Sequence, residues 1–325
     1  MTAYALALIM DRRLLIDLPT PCRLEETLEP NEVNWLFSNI ASYYFRLTKY
    51  NFHIDYNDNL ILEKNFLKFK RHKDVIIVRT GLNLIRHLTL NPEHHTKIKS
   101  LGYSVDTFNL ENVFYDWYKK LFKFKAHLEP IYQNMLKISK PTNQTKLICA
   151  QIRVGGGFDS QFMHPKQVKL FWKQIRDKLI EQKDLDDFKL FITADKKFVI
   201  KEAVEEFGND KVIGFKDRSF HISNVYNFLP FLKKNTCDKV GGLYLDFNML
   251  GICDMGVISH SGFGLVGILN RENKLDLANF YVFTNPTEKK KRFVSNKNLS
   301  FHQFNTSLLY IQFNNLKDNI DYIIP

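Results

Sequence analysis

Lys146-Leu-Ile-Cys-Ala-Gln-Ile152 is a short, mostly apolar run that closes on Arg153 and then on Gly155-Gly-Gly157. A run of this length ending in a glycine turn reads as a β-strand. Outward from it towards the C-terminus, the hydrophobic period alternates. Lys166 to Gln182 has the amphipathic spacing of a helix, Lys189 to Thr193 is a strand, Lys196 to Phe207 a helix and Lys211 to Ile213 a short strand. Tyr244 to Cys253 is a helix apolar on most faces, Met255 to Ser259 a strand, Phe263 to Asn270 a helix and Asn279 to Phe283 a last strand. Strands alternating with helices predict a parallel sheet covered by helices on both sides.

Towards the N-terminus the polar segment Ser139 to Thr145, which contains Pro141, reads as a linker. It sets the expected boundary between a domain over 1–143 and a domain over 144–325. In the first of these, Asn34 to Tyr44 and Glu111 to Phe124 show helical spacing, Val75 to Arg79 is a short strand, and Leu121 to Ile138 is mostly helical. Met1 to Met10 has neither a basic start nor a small-residue cleavage site, so it is a helix end rather than a signal peptide. Arg13-Leu-Leu-Ile-Asp17 then reads as a buried strand, ended by Pro19 and Pro21. A helix feeding such a strand reads as the second half of a β-α-β unit, so a preceding strand and loop are expected to be missing from this chain; the alternative is that Met1 is a true start and the helix is short. There is no internal repeat.

Composition agrees with a globular chain. The 325 residues suit one large or two ordinary domains. Apolar residues are 45% and charged residues 25%, which excludes a disordered chain, a collagen-like fibre and a coiled coil. No apolar run reaches the roughly 18 residues that cross a bilayer. With 28 Phe and 14 Tyr the core should be well filled. The net charge of +11 comes from scattered lysines, a pattern that fits a solvated basic surface or an anionic ligand such as a nucleotide. The densest run, Glu288 to Arg292, is short, and no zinc-finger spacing or Arg-rich segment with interleaved aromatics is present, so nucleic acid is a weak reading. Cys22, Cys149, Cys237 and Cys253 lie far apart with no CxxC pair. Cys149 and Cys253 read as small core residues; an even number allows one or two disulfides, which spacing cannot pair. Asn143-Gln144-Thr145, Asn298-Leu299-Ser300 and Asn305-Thr306-Ser307 fit the glycan-acceptor pattern, which matters where a protein is secreted.

In an open parallel sheet, ligands bind at the carboxyl ends of the strands. There, Arg153 leaves the first strand into Gly155, Gly156 and Gly157. Its permanently charged fork matches two phosphate oxygens, and the glycines let backbone approach a diphosphate. The bland alternative is a tight turn with a surface arginine. After Met255 to Ser259 come His260-Ser261-Gly262-Phe263-Gly264, which open an apolar helix whose first N–H groups suit an anion. The alternative is an ordinary Ser261 cap over a buried phenylalanine. A serine hydrolase is discounted, because the residue two before Ser261 is Ser259 and Gly-x-Ser-x-Gly is absent. Asp195 follows the second strand and is either a helix cap or a site residue. Asp246 lies on an otherwise apolar helix and needs a partner, in the core or on a ligand.

These segments together resemble the fucosyltransferase superfamily, and within it the GDP-fucose-dependent plant cell-wall (xyloglucan-type) and core alpha-1,6 enzymes. Ile148-Cys-Ala-Gln-Ile-Arg153-Val-Gly-Gly is similar to the family's phosphate motif, Leu190-Phe-Ile-Thr-Ala-Asp195 to its strand ending in Thr/Ser-Asp, and Leu243 to Asp254 with Val257 to Gly264 to its Asp…Cys-Asp…Ser-x-x-Gly tail. Ala3 to Trp35 looks like the segment after its first glycine loop. The resemblance spans 3–35 and 146–270. It implies a GT-B-like α/β fold, two Rossmann-like domains facing a cleft, with acceptor contacts from the first and the nucleotide sugar on the second. It also implies inverting transfer of fucose from GDP-fucose to a glycan or glycoprotein hydroxyl, no cofactor and no required metal, and the Golgi or secretory pathway, with any membrane anchor outside this chain.

On matched positions, Arg153 would hold the β-phosphate, the Ser261 to Gly264 turn the phosphates, and Asp246 the guanine. Gln151, Gly155, Gly156, Asp195 and Ser259 complete the expected donor site. Gln151 replaces the motif histidine, and the motif aspartate is absent near Gly156, which leaves Asp159 as the nearest carboxylate for a general base. That loss keeps open a second reading, a catalytically weak or inactive sugar- or nucleotide-binding homologue on the same fold.

Overall fold

The computed structural model describes residues 1–18, 21–37, 51–54, 75–78, 83–155, 165–180, 185–214, 233–259, 261–272, 279–284 and 300–303. By contact density the chain divides into two units: Met1–Pro19 with Arg23–Lys123, and Thr20–Cys22 with Phe124–Pro325.

The first unit begins with α1 (Thr2–Ile9), followed by β1 (Leu28–Pro30), β2 (Asn51–Ile54), β3 (Val75–Val78), α2 (His95–Ser100), α3 (Leu110–Leu121) and, at its edge, β4 (Phe122–Phe124). β2 and β3 pair in parallel. Trp117 of α3 centres an aromatic core: Tyr4 meets it edge-on at 5.2 Å, and its indole N–H donates to the Tyr103 hydroxyl at 2.9 Å. This is where the aromatic-rich composition goes.

Three sequence expectations change here. Arg13 to Asp17 is not a buried strand. Leu14 is buried, Leu15 is 39% exposed, and pairing is reduced to one parallel bridge, Ile16 with Leu36. The start of the expected 34–44 helix is extended, because the Trp35 indole donates to the Leu121 carbonyl at 2.5 Å and Leu36 forms that bridge. Residues 38–44 lie outside the described residues, as does Arg79. The helix expected over 111–124 ends at Leu121, and Phe122–Phe124 pairs with β1 instead. Aromatic residues suit a strand as well as an apolar helical face, and only the partner strand decides between them.

His94 is fully buried, with Nδ1 2.9 Å from the Leu88 carbonyl oxygen. Burial holds its pKa below the usual 6.5, outweighing that backbone contact. The unfolded ring then binds a proton near pH 6.5 while the folded ring does not, so stability present above that pH falls as the pH drops towards the folded value. The urea midpoint of the wild type should therefore fall more steeply from pH 7.5 to 5.5 than that of His94→Gln; equal slopes would remove His94 as the cause.

The second unit continues with α4 (Glu129–Ser139), β5 (Lys146–Ile152), α5 (Pro165–Ile175), β6 (Phe188–Ala194), α6 (Lys197–Phe207), β7 (Val212–Gly214), α7 (Lys233–Gly251), β8 (Met255–Ser259), α8 (Gly262–Leu269), β9 (Phe280–Thr284) and β10 (Ser300–Gln303). Its sheet has the order β10-β9-β8-β5-β6-β7, and five strands are parallel while β10 joins antiparallel at one edge. This is the expected parallel α/β sheet. β10 and β2 were not foreseen, because each is only four residues long and contains polar residues among the apolar ones. The long helix over 166–182 is α-helical only to Ile175 and continues as a π-helix to Ile180; Gln182 lies outside the described residues. α7 begins eleven residues before the expected Tyr244, at Lys233, because its first turns are polar and glycine-bearing and carry no apolar period.

β5 is buried at six of its seven positions, so its alternating side chains feed two cores. Ile148, Ala150 and Ile152 pack with Val168, Phe171 and Trp172 of α5 and with Val199, Ile200 and Ala203 of α6. On the other face lie α7 and α8. Gly251 abuts the Asn270 carbonyl so closely that a Cβ would overlap it, and Gly267 leaves room for Leu250. The cysteines are bonded in two pairs, Cys22–Cys237 and Cys149–Cys253. The second pair joins the central strand to the residue ahead of Asp254 and β8, and both its members are also core residues at 1% exposure.

Candidate functional site

The sheet reverses its winding between β5 and β8. From β5 the order runs to β6 and β7; from β8 it runs the other way, to β9. The helices after β5 and β8 therefore leave towards opposite faces, and a crevice opens at the carboxyl ends of these two neighbours. Arg153 and the Ser259 to Gly264 turn lie at those two ends, since Gln151 is in register with Ile258.

A hydrogen-bonded chain holds the two turns together. The Arg153 backbone N–H donates to Ser259 Oγ at 2.9 Å, and that hydroxyl donates to Gln151 Oε1 at 3.2 Å. Gln151 is 5% exposed and lies against Gly264: a Cβ there would come within 2.5 Å of Gln151 Oε1. Gln151 and Ser259 thus join β5, β8 and the first turn of α8, which is a framework task.

Asp195 does not cap α6, whose N-cap is Lys196 with no side-chain bond. Its carboxylate instead accepts the N–H groups of Val154 and Gly155, each at 2.9 Å. Gly155 has φ +73°, a left-handed conformation that a side chain would strain. Asp195 therefore fixes the path of the loop that begins at Arg153. Replacing it with alanine orphans two buried donors, at a cost of about 3 kcal/mol, and should lower Tm by roughly 6–12 °C in a unit of this size. An unchanged melting curve would show that the loop does not depend on this carboxylate.

Ser261 occupies the N-cap position of α8, yet its hydroxyl makes no capping bond, so the ordinary serine-cap reading does not hold. The first turn, Gly262-Phe263-Gly264, has no side-chain cap, and a Cβ on Gly262 would meet no described atom within 4 Å. A helix start in this state presents N–H groups and the positive end of its dipole. Phe263 packs against Phe247 of α7, ring centroids 5.8 Å apart. The neighbouring residue on α7, Asp246, is buried at 5% exposure. Phe247 was not singled out in the sequence; its only signal there was its place beside Asp246. On the same helix, burial pushes the Tyr244 phenol up to about 12.

Gln151, Arg153, Gly155, Asp195, Ser259, Ser261, Gly262, Phe263 and Gly264 thus share one sheet edge, with Asp246 on the adjoining helix. Gly156 and Asp159 lie outside the described residues, together with Gly157 and His260. Arg153, a glycine turn held by the Asp195 carboxylate and a helix start without a side-chain cap thus lie at the carboxyl ends of neighbouring parallel strands, where open α/β sheets bind ligands.

No protein-family model matches the chain, and no curated protein matches it. Among solved structures it is similar to an arginine-to-lysine mutant of FUT1 from Arabidopsis thaliana in complex with GDP, with TM-score 0.58 and 16% identity over 89% of this chain and 67% of that one. It is also matched to NodZ alpha-1,6-fucosyltransferase soaked with GDP-fucose, with TM-score 0.47 and 12% identity over 92% and 91% of the two chains. A further match is fucosyltransferase NodZ from Bradyrhizobium, with TM-score 0.45 and 12% identity. The fold is that of the FUT1 structure, in agreement with the GT-B-like α/β class expected from the sequence.

Proposed function

We propose that the chain is a glycosyltransferase that moves fucose from GDP-fucose to a hydroxyl of a glycan or glycoprotein, with inversion and with no metal or other cofactor required. The observation that supports this reading is the Arg153 N–H to Ser259 Oγ bond, which ties the residue that leaves β5 to the end of the strand leading into α8, at the switch point of a parallel sheet. As the bond from fucose to the diphosphate breaks, negative charge grows on the leaving phosphate. Arg153 and the first N–H groups of α8 meet that charge without reorganising, which lowers the barrier. Asp195 keeps the Arg153 loop in place, and Asp246 accepts from the donor edge of guanine. The acceptor hydroxyl loses its proton to a carboxylate for which Asp159 is the sequence candidate. Localisation in the Golgi or secretory pathway belongs to the same proposal.

The test is a thermal-shift series with GDP, UDP and ADP, followed by GDP release from GDP-fucose over a panel of glycan acceptors. GDP at a hundred times its Kd should stabilise by about 2.7 kcal/mol, with no comparable effect from UDP or ADP. GDP binding without turnover on any acceptor would instead support a binding homologue. No response to any nucleotide would overturn the site.

A further inference from the structure

The acceptor triplet Asn143-Gln144-Thr145 has no part in the crevice, and its surroundings point to another role. We propose that Asn143 carries an N-linked glycan, attached before the strand that follows it has docked. Asn143 is exposed in the bend between α4 and β5, and Gln144 is not proline, so the triplet satisfies the acceptor rule. Two disulfides in a chain of four cysteines mark folding in an oxidising compartment, which is where such glycans are added.

The position also tolerates a glycan. Asn143 precedes the first residue of β5 and Arg153 follows its last, so a strand of seven residues, about 20 Å long, separates the two. A glycan on Asn143 leaves from the amino edge of the sheet, while the candidate site occupies the carboxyl edge.

Timing follows from Thr145. Transfer needs the threonine hydroxyl as well as the asparagine, but in the folded chain Thr145 is 2% exposed. Its Oγ1 donates to Asp187 Oδ2 at 2.7 Å and lies 2.8 Å from Thr142 Oγ1. Asp187 immediately precedes β6, so this bond forms when β5 and β6 pair. Folding therefore withdraws the hydroxyl, and the acceptor is open only before that pairing. In the transfer, Asn143 Nδ2 bonds to the anomeric carbon of an oligosaccharide carried on a lipid diphosphate. The bond from that carbon to the diphosphate oxygen breaks, the lipid diphosphate leaves with the electron pair, and a base of the transferring enzyme takes one amide proton.

The full chain, led into the endoplasmic reticulum of cultured cells by an added signal peptide, should yield a glycopeptide at Asn143. Asn143→Gln should lose one glycan's mass without change in melting temperature, and Thr145→Ser, which keeps a hydroxyl, should retain the glycan. Peptide mapping separates Asn143 from Asn298 and Asn305. An unmodified Asn143 in secreted, disulfide-bonded protein would overturn the proposal. For the timing, unglycosylated folded protein and its reduced, urea-unfolded form are offered to solubilised oligosaccharyltransferase. The unfolded form should be modified at Asn143 at least tenfold faster; equal rates would overturn the order of events.

Discussion

On the proposed function, Arg153→Ala should lower affinity for GDP by at least a hundredfold and remove measurable transfer. The loss follows from leaving a diphosphate without its fixed counter-charge, a change of about 3 kcal/mol or more where the partner is desolvated. Arg153→Lys keeps the charge but not the fork, so it should recover only part of the affinity. The backbone bond from residue 153 to Ser259 Oγ does not depend on the side chain, and the alanine variant therefore keeps the loop. Calorimetric titration with GDP, alongside circular dichroism to verify folding, separates lost binding from lost structure. A folded Arg153→Ala protein that binds GDP as tightly as the wild type would end the diphosphate reading.

Opening the two disulfides has the largest expected effect on stability. Cys149 and Cys253 are 104 residues apart, and Cys22 and Cys237 are 215 apart. In the chain-entropy account a bridge closing a loop near 100 residues contributes about 4.7 kcal/mol by restricting the unfolded chain, and measured losses are typically 2–5 kcal/mol. A domain is stable by only about 5–15 kcal/mol, so removing both bridges takes most of the margin. Cys149→Ala with Cys253→Ala should depress Tm by more than 8 °C, and full reduction should leave the chain largely unfolded at 37 °C. Cys149 and Cys253 are both nearly inaccessible, whereas Cys237 is only half-buried, so mild reductant should open Cys22–Cys237 first. Peptide mapping without reduction checks the pairing, and four free thiols in protein from an oxidising compartment would contradict it.

The sequence made the C-terminal unit legible because its signals are local. The apolar run of β5 is the same in both readings, and β6, β8, α6 and α8 shift by a residue or so. In those segments the period of two or of 3.6 is strong, and glycines and charges mark the ends. The first unit was less legible. Arg13 to Asp17 has the apolar content of a strand but finds a partner at one position only, and Phe122–Phe124 continues a helical pattern yet pairs with β1. Within the candidate site, Arg153 and Ser261 stood out through residue type and place. The tasks of Asp195, Gln151 and Phe247 did not, since each acts on a residue far away in the chain.

The sequence alone determined the alternation of strands and helices, the edge of the sheet at which charged and glycine residues gather, and the absence of a long apolar span. Only the tertiary structure decided that β5 and β8 are neighbours, that Asp195 holds the Arg153 loop rather than capping a helix, and which cysteines pair. The reason is range. Periodicity and turn chemistry act over a few residues and are written in consecutive letters. The bonds from Arg153 to Ser259 and from Gly155 to Asp195 span 106 and 40 residues, and they exist only once burial of the whole sheet has chosen its strand order.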